Sequence, residues 1–235
     1  MFNKKCTIEY DGTLFSGWQI QDNVRTVQEE ITRALCKIYK HKITIYGAGR
    51  TDAKVHAEEQ VFNFKSDRYI NSEHLMAGMN SLLPVDIVVK SVTDVPLAFH
   101  ARKCATKKTY SYRIFNNDNR SAFYANRAWW VKRKLDMAVL EKHLKNYEGE
   151  KDFKNYCKNA KVYTSTIRII YSIELKEERG LIVIKITANG FLRRMVRNIV
   201  GTAVMCNVYK SSFYDMGKSI YTAPPQGLYL TQVFY

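Results

Sequence analysis

The chain has 235 residues, 46% of them hydrophobic, and carries 37 lysines and arginines against 22 aspartates and glutamates, a formal net charge of +15 and a pI near 9.5. That apolar content argues against disorder, and the length suits one large domain or two intimately packed halves. The basic excess favours a polyanionic partner, nucleic acid first, because Lys and Arg contacts to phosphate supply affinity without demanding sequence information; a generally basic surface is the plain alternative. Cys6, Cys36, Cys104, Cys157 and Cys206 are scattered and form no CxxC pair, which points to reduced thiols. The five histidines make no HExxH or paired-ligand motif, and no glycine loop ends in Gly-Lys-Ser/Thr, so neither a metal nor a nucleotide cofactor is implied. No apolar run approaches the roughly 20 residues that span a bilayer, and the first residues lack a leader's apolar segment, so a soluble cytoplasmic protein is expected.

In chain order, residues 6–10 read as a first strand. Thr26-Val27-Gln28-Glu29 has the form of a capping box, which starts a helix running to about Lys40, with Val27, Ile31, Ala34, Leu35 and Ile38 along one apolar face. Residues 42–46 and 61–64 are strand-like, 71–82 are helical and 86–92 form another strand after the punctuation of Pro84. Across 107–115, alternation places Tyr110, Tyr112 and Ile114 on one face and Thr109, Ser111 and Arg113 on the other. Residues 135–147 are helix-like, 165–175 and 181–188 suggest a hairpin across Glu177-Glu178-Arg179-Gly180, and 192–206 read as an amphipathic helix with Arg193, Arg194, Arg197 and Asn198 off its apolar side. The hairpin favours an α+β plan, a mainly antiparallel mixed sheet flanked by helices, over a parallel α/β one. No flexible linker separates the halves, 1–105 and 106–235.

Residues 47–57 set Arg50, Thr51 and Asp52 on a glycine-flanked turn between two strand-like runs. A side chain on such a turn is held yet accessible. A guanidinium two residues from Asp52 favours the ionised carboxylate, the form that acts as nucleophile or base, while a turn aspartate that merely caps its own backbone is the bland alternative. Between Phe99 and Arg120, the basic Arg102, Lys103, Lys107, Lys108, Arg113 and Arg120 meet only Asp118 as an opposing charge and interleave with Phe99, Tyr110 and Tyr112, a candidate phosphate track suited to RNA.

The segment AGRTDAKVHA, followed by Gln60, Val61 and Phe64, resembles the catalytic segment of the TruA-type tRNA pseudouridine synthases. Further blocks match in family order: Tyr10-Asp11-Gly12 with Gly17-Trp18-Gln19, Val27-Gln28-Glu29, Phe99-His100-Ala101-Arg102, Ala105-Thr106 to Tyr110 and Tyr112, Asp152-Phe153, Met195 to Gly201, Ala223-Pro224 and Gly227-Leu228-Tyr229-Leu230. The resemblance covers nearly the whole chain. It implies two similar halves sharing a continuous sheet around a positively charged central cleft, a homodimer, and isomerisation of uridine to pseudouridine at positions 38, 39 and 40 of the tRNA anticodon arm, without an external cofactor.

Carried over residue by residue, the resemblance implies that Asp52 is the essential aspartate, whether it attacks the sugar carbon or serves a glycal route. It makes Arg50 the residue that helps flip the target nucleotide, Tyr110 a stacking platform for the uracil, Arg197 an ion-pair partner for Asp52, and Leu228 the apolar residue beneath the ring. Read locally, Tyr110 and Leu228 are equally core residues and Arg197 a surface one. The loop from Tyr10 to Gln19 becomes a further candidate RNA contact. Two departures stand out. Lys54 occupies a position where the family has glycine; a positive φ there costs a lysine on the order of 1 kcal/mol, although its amine could add a phosphate contact. The stretch 208–222 is also shorter than usual. These departures motivate the alternative of a non-catalytic tRNA-binding or RNA-folding protein on the same scaffold.

Overall fold

The computed structural model describes residues 1–210 and 220–235. Part of the shortened stretch, residues 211–219, therefore lies outside the described residues. The architecture is α+β, with strands mainly antiparallel and four α-helices among the described residues. Two compact units are present, Met1–Thr106 together with Leu230–Tyr235, and Lys107–Tyr229.

In the first unit β1 (Phe2–Tyr10) lies between β3 (His56–Ser66) and β4 (Ile87–Asp94), antiparallel to both, with Cys6 opposite Phe62 on one side and Val92 on the other. The short β2 (Ile45–Gly47) also runs antiparallel to β3. Strand β1 starts four residues earlier than its apolar pattern predicts. Its polar beginning is buried because each group has a partner: Lys4 ion-pairs with Asp94 at 2.8 Å and lies 4.4 Å from the Tyr69 ring, while the Asn3 amide donates to the carbonyls of Pro96 and Phe99. The final strand, β10 (Leu228–Phe234), contributes Leu230 onward to this unit and pairs with β3. Its end is tied down as the Thr106 amide donates to Phe234 O at 2.9 Å and the Tyr235 hydroxyl to Ala101 O at 2.9 Å.

Helix α1 (Val27–Tyr39) begins where expected, after Thr26, but the capping box does not form. The Thr26 hydroxyl is buried with no hydrogen-bond partner, and Glu29 turns to Arg33 instead, at 3.2 Å. A distant loop replaces the side-chain cap: the amides of Val27 and Gln28 donate to the carbonyls of Gly17 and Trp18 at 3.2 and 3.0 Å. Helix α2 (Ser72–Leu82) is capped conventionally by Asn71, whose side chain accepts from the amides of Glu73 and His74.

In the second unit β5 (Lys107–Asn116), β9 (Leu181–Ala188), β8 (Ile167–Glu178) and β7 (Gly149–Asp152) follow one another in antiparallel order, and β6 (Trp129–Val131) lies parallel to β5, which makes the strand arrangement mixed. The predicted hairpin is β8–β9. Its two-residue turn has positive φ at both Arg179 and Gly180, 52° and 76°, the type I′ conformation that suits the twist of paired strands. Strands β6 and β7 have only three and four residues, too few to show a period. Helix α3 (Met137–Lys145) is capped by Asp136, which accepts from the Val139 amide.

Helix α4 (Met195–Tyr209) departs from the expected amphipathic form, because residues on nearly every side of it are buried, including Asn198, Thr202 and Asn207. Arg193 and Arg194 precede it, Arg194 serving as N-cap with φ 66°. The reason for its burial is visible at Gly201, where a Cβ would sit 2.2 Å from the Tyr221 carbonyl oxygen and 2.7 Å from the Ala223 nitrogen. Only a glycine lets the segment 221–223 lie directly on the helix.

Candidate active site

Asp52 opens a four-residue turn closed by the Val55 amide donating to Asp52 O at 3.2 Å, with Lys54 at φ 64° in its third position. The turn is held by a second loop from far earlier in the chain. The Trp18 amide donates to Thr51 O at 3.2 Å, the Lys54 amide to Phe15 O at 3.1 Å, and the hydroxyls of Tyr10 and Thr51 share a 2.8 Å hydrogen bond. Just beyond the turn, buried His56 accepts the Gly12 amide at Nδ1, 3.0 Å away. Asp11 Oδ1 approaches the same Nδ1 at 3.2 Å. Burial pushes the Tyr10 phenol above its usual range, opposed by its hydrogen bonds to Thr51 and Gln60. Gln60, also buried, donates to Gly49 O at 3.0 Å and so fixes the approach to the turn.

Backbone bonds at Thr51, Asp52 and Lys54 fix the main chain from which the half-buried Asp52 side chain projects. This is the preorganisation a reactive carboxylate needs. The supporting residues Tyr10, Gly12, Phe15 and Trp18 come from the loop that the family resemblance marked as an RNA contact; these four are buried, and Leu14, 72% exposed, is its outward part. Their partners lie about forty residues along the chain, so no local pattern could have revealed the support.

Lys54 is exposed, and its left-handed backbone is the conformation that glycine adopts at least cost. Its amide bond to Phe15 survives any side chain. Lys54→Gly is therefore expected to raise the denaturation midpoint at unchanged m, a gain of about 0.5–1 kcal/mol after allowing for glycine's larger unfolded-state entropy. An unchanged or lowered midpoint would show that the lysine is not strained.

The remaining basic candidates differ. Arg50 is exposed and makes no ion pair among the described residues. Arg102 and Lys107 are exposed, and Lys108 is half-buried. Arg113, part of the predicted track, is instead stacked on Tyr229, with its guanidinium carbon 3.8 Å from the ring centroid.

In the second unit Tyr110 projects from β5, 8% exposed, and meets the edge of Phe191 with ring centroids 5.0 Å apart. Arg197, on the first turn of α4, is half-buried. Its Nε donates to Ala223 O at 2.7 Å, and the Ala223 amide returns a bond to Arg197 O at 3.0 Å, so the close crossing at Gly201 also fixes this arginine. Burial holds the Tyr112 phenol well above its usual range, with the Arg197 charge pulling the other way. The Tyr112 hydroxyl donates to Pro224 O at 2.7 Å, four residues before Leu228, which is buried at the start of β10.

The profile of the tRNA pseudouridine synthases matches residues 7–102 and 144–235. The chain belongs to the tRNA pseudouridine synthase family. It is 41% identical to tRNA pseudouridine synthase A of Ruminiclostridium cellulolyticum over 98% of each chain. Relatives of the same name from Citrifermentans bemidjiense and Thermoanaerobacter sp. strain X514 are 39% and 40% identical, each over 100% of this chain and over 98% and 100% of their own. Both the Asp52 turn and its supporting loop lie inside the region matched to the synthase family, as do Arg197 and Leu228, whereas Tyr110 falls in the interval that the profile does not match. Among the described residues of this synthase, no group of His, Cys, Asp and Glu could hold a metal ion, and no helix is long and apolar enough to cross a membrane.

Proposed function

We propose that the protein isomerises uridine to pseudouridine in the anticodon arm of tRNA, at positions 38, 39 and 40, with Asp52 as catalytic nucleophile or base. The observation that carries this reading is a carboxylate on a backbone-anchored turn in a chain whose full-length relatives are named tRNA pseudouridine synthase A. In the reaction the bond between C1′ and N1 breaks, the base turns, C1′ bonds to C5, the C5 hydrogen leaves as a proton and N1 gains one. No atom is lost to solvent except that exchangeable hydrogen.

Asp52 supports the sugar carbon as the base departs or takes a proton from the sugar; either role needs the carboxylate ionised and fixed. Arg50, exposed beside it, takes the place of the flipped nucleotide in the stack or holds its phosphate. Tyr110 stacks on the uracil, Leu228 supports it from beneath, and Arg197 neutralises the aspartate. Lys54, Arg102, Lys107 and Lys108 contact phosphates, and the protein works in the cytoplasm as a homodimer.

The deciding experiment incubates unmodified tRNA tritiated at uridine C5 with the protein and counts tritium released to water. Release equal to the pseudouridine formed supports the reading, and tRNA binding without release overturns it in favour of a non-catalytic RNA-binding protein. Tyr110→Phe then separates stacking from hydroxyl chemistry. Its tRNA affinity is expected within about twofold of wild type, because the ring remains, while kcat falls on the order of 100-fold if the hydroxyl moves a proton. Unchanged kcat would limit Tyr110 to stacking.

A further inference from the structure

The second unit carries a concavity of about 280 Å³ that none of Asp52, Tyr110, Arg197 or Leu228 lines. The loop joining β5 to β6 forms part of its wall, which includes Phe115, Tyr124, Trp129, Trp130, Arg120 and Gln226. Its aromatic walls are fixed. The Trp130 indole Nε1 donates to Asn117 O at 2.8 Å, which satisfies its polar atom and sets the ring, yet the residue remains 42% exposed. Trp129 is stacked on Tyr221 at 5.8 Å and 13°, and Phe115 meets Tyr124 with centroids 5.0 Å apart. On the same loop Phe123 is 90% exposed. A rigid aromatic surface left open to water in this way has a use in binding rather than in the core.

Its surroundings favour one class of occupant. Residues 117–134 contain Arg120, Arg127, Lys132, Arg133 and Lys134 against the single acid Asp118. A second copy of the chain docking here about a twofold axis would bring two such segments together, and the like charges would oppose it. An anionic ligand with a planar ring meets both features. The volume accepts one ring system and excludes a helix of any kind, and Gln226 supplies amide donors and an acceptor to a base edge.

We propose that this concavity is a second RNA subsite, which takes a single unstacked nucleotide of the substrate with its base on Trp130 and its phosphate on Arg120. The assignment rests on the reading of the protein as an enzyme acting on RNA. Arg120 is exposed and forms no ion pair among the described residues, so its charge is available to a phosphate. The subsite selects RNA that offers an unpaired nucleotide and is indifferent to continuous duplex.

The test measures dissociation constants at fixed salt for unmodified tRNA and for a fully paired RNA duplex, using the wild type, Trp130→Ala, Trp130→Phe and Arg120→Gln. Trp130→Ala is expected to weaken tRNA binding about fivefold or more and leave duplex binding unchanged, with Trp130→Phe recovering most of the loss because a ring is restored. Arg120→Gln is expected to reduce the slope of log K against log salt by about one. The proposal is overturned if folded Trp130→Ala binds tRNA within about twofold of wild type, if it loses tRNA and duplex equally, or if it changes only the oligomeric state. Should Trp130→Ala fail to fold, an unchanged salt slope for Arg120→Gln, whose side chain is exposed, overturns it equally. Tritium release by the wild type is scored separately, so a protein that binds tRNA through this subsite without isomerising it refutes the enzyme assignment and leaves the subsite standing.

Discussion

Asp52→Asn is expected to release tritium from C5-labelled tRNA at least about a thousandfold more slowly than the wild type, a loss in the range seen when a reacting group is removed from an otherwise intact site. The substitution is nearly isosteric and removes only the charge and basicity of the side chain. The turn is anchored by backbone bonds from Val55, Trp18 and Lys54 together with the Tyr10–Thr51 hydroxyl pair, all of which the asparagine leaves in place. The variant should therefore fold, and bind tRNA with a dissociation constant close to that of the wild type. Persistent turnover in a protein free of wild-type contamination would sink the assignment of Asp52. Loss of binding alongside turnover would instead give this residue a part in substrate recognition.

Gly17→Ala should be nearly as damaging to activity although the residue touches no substrate. Gly17 has φ 98°, and a Cβ there would lie 2.6 Å from Thr51 O and 3.1 Å from the Asp52 carbonyl carbon. The neighbouring atoms are backbone, so one loop must move away from the other. The Gly17 and Trp18 carbonyls also cap α1, and the displacement would reach the start of that helix. We expect a loss of about 2 kcal/mol or more in stability and, from misplacement of Asp52, on the order of 100-fold in kcat. Gly180→Ala is the control: φ is 76° but nothing lies within 4 Å of the added Cβ, so it should lose about 1 kcal/mol and keep its turnover. Equal effects of the two substitutions on kcat would show that the contact with the Asp52 turn is unimportant.

The parts of the fold legible in the sequence are those whose cause is local. Asn71 announces α2 because an asparagine cap acts over three residues, and β9 shows its bounds because its apolar residues face a core along its whole length. The capping box at Thr26 misled because carbonyls from the Gly17–Trp18 loop reach the helix amides and displace the local solution. Helix α4 looked amphipathic because Arg193, Arg194, Arg197 and Asn198 fall off its apolar side, whereas Arg193 and Arg194 precede the helix and Asn198 is buried on a distant partner, the Tyr156 carbonyl. At the site, the glycine-flanked turn carrying Arg50 and Asp52 was visible in the residues themselves, and the role given to Asp52 came from the family resemblance. The supports of that turn were not visible, because the pairings of Tyr10 with Thr51 and Gly12 with His56 exist only once the chain has folded back on itself.

The membership of Leu230–Tyr235 in the first unit has a consequence for how the protein is made. A ribosome that has completed Met1–Thr106 must still add the whole of Lys107–Tyr229 before the missing strand emerges, which at roughly 5–20 residues per second is a delay on the order of ten seconds. During that interval the edge of β3 that β10 will cover offers unpaired amides and carbonyls to any neighbouring nascent chain. The order of synthesis thus makes the first unit the last to be finished. A chain whose translation stalls before residue 230 presents the cell's quality control with an open edge next to the segment that carries Asp52.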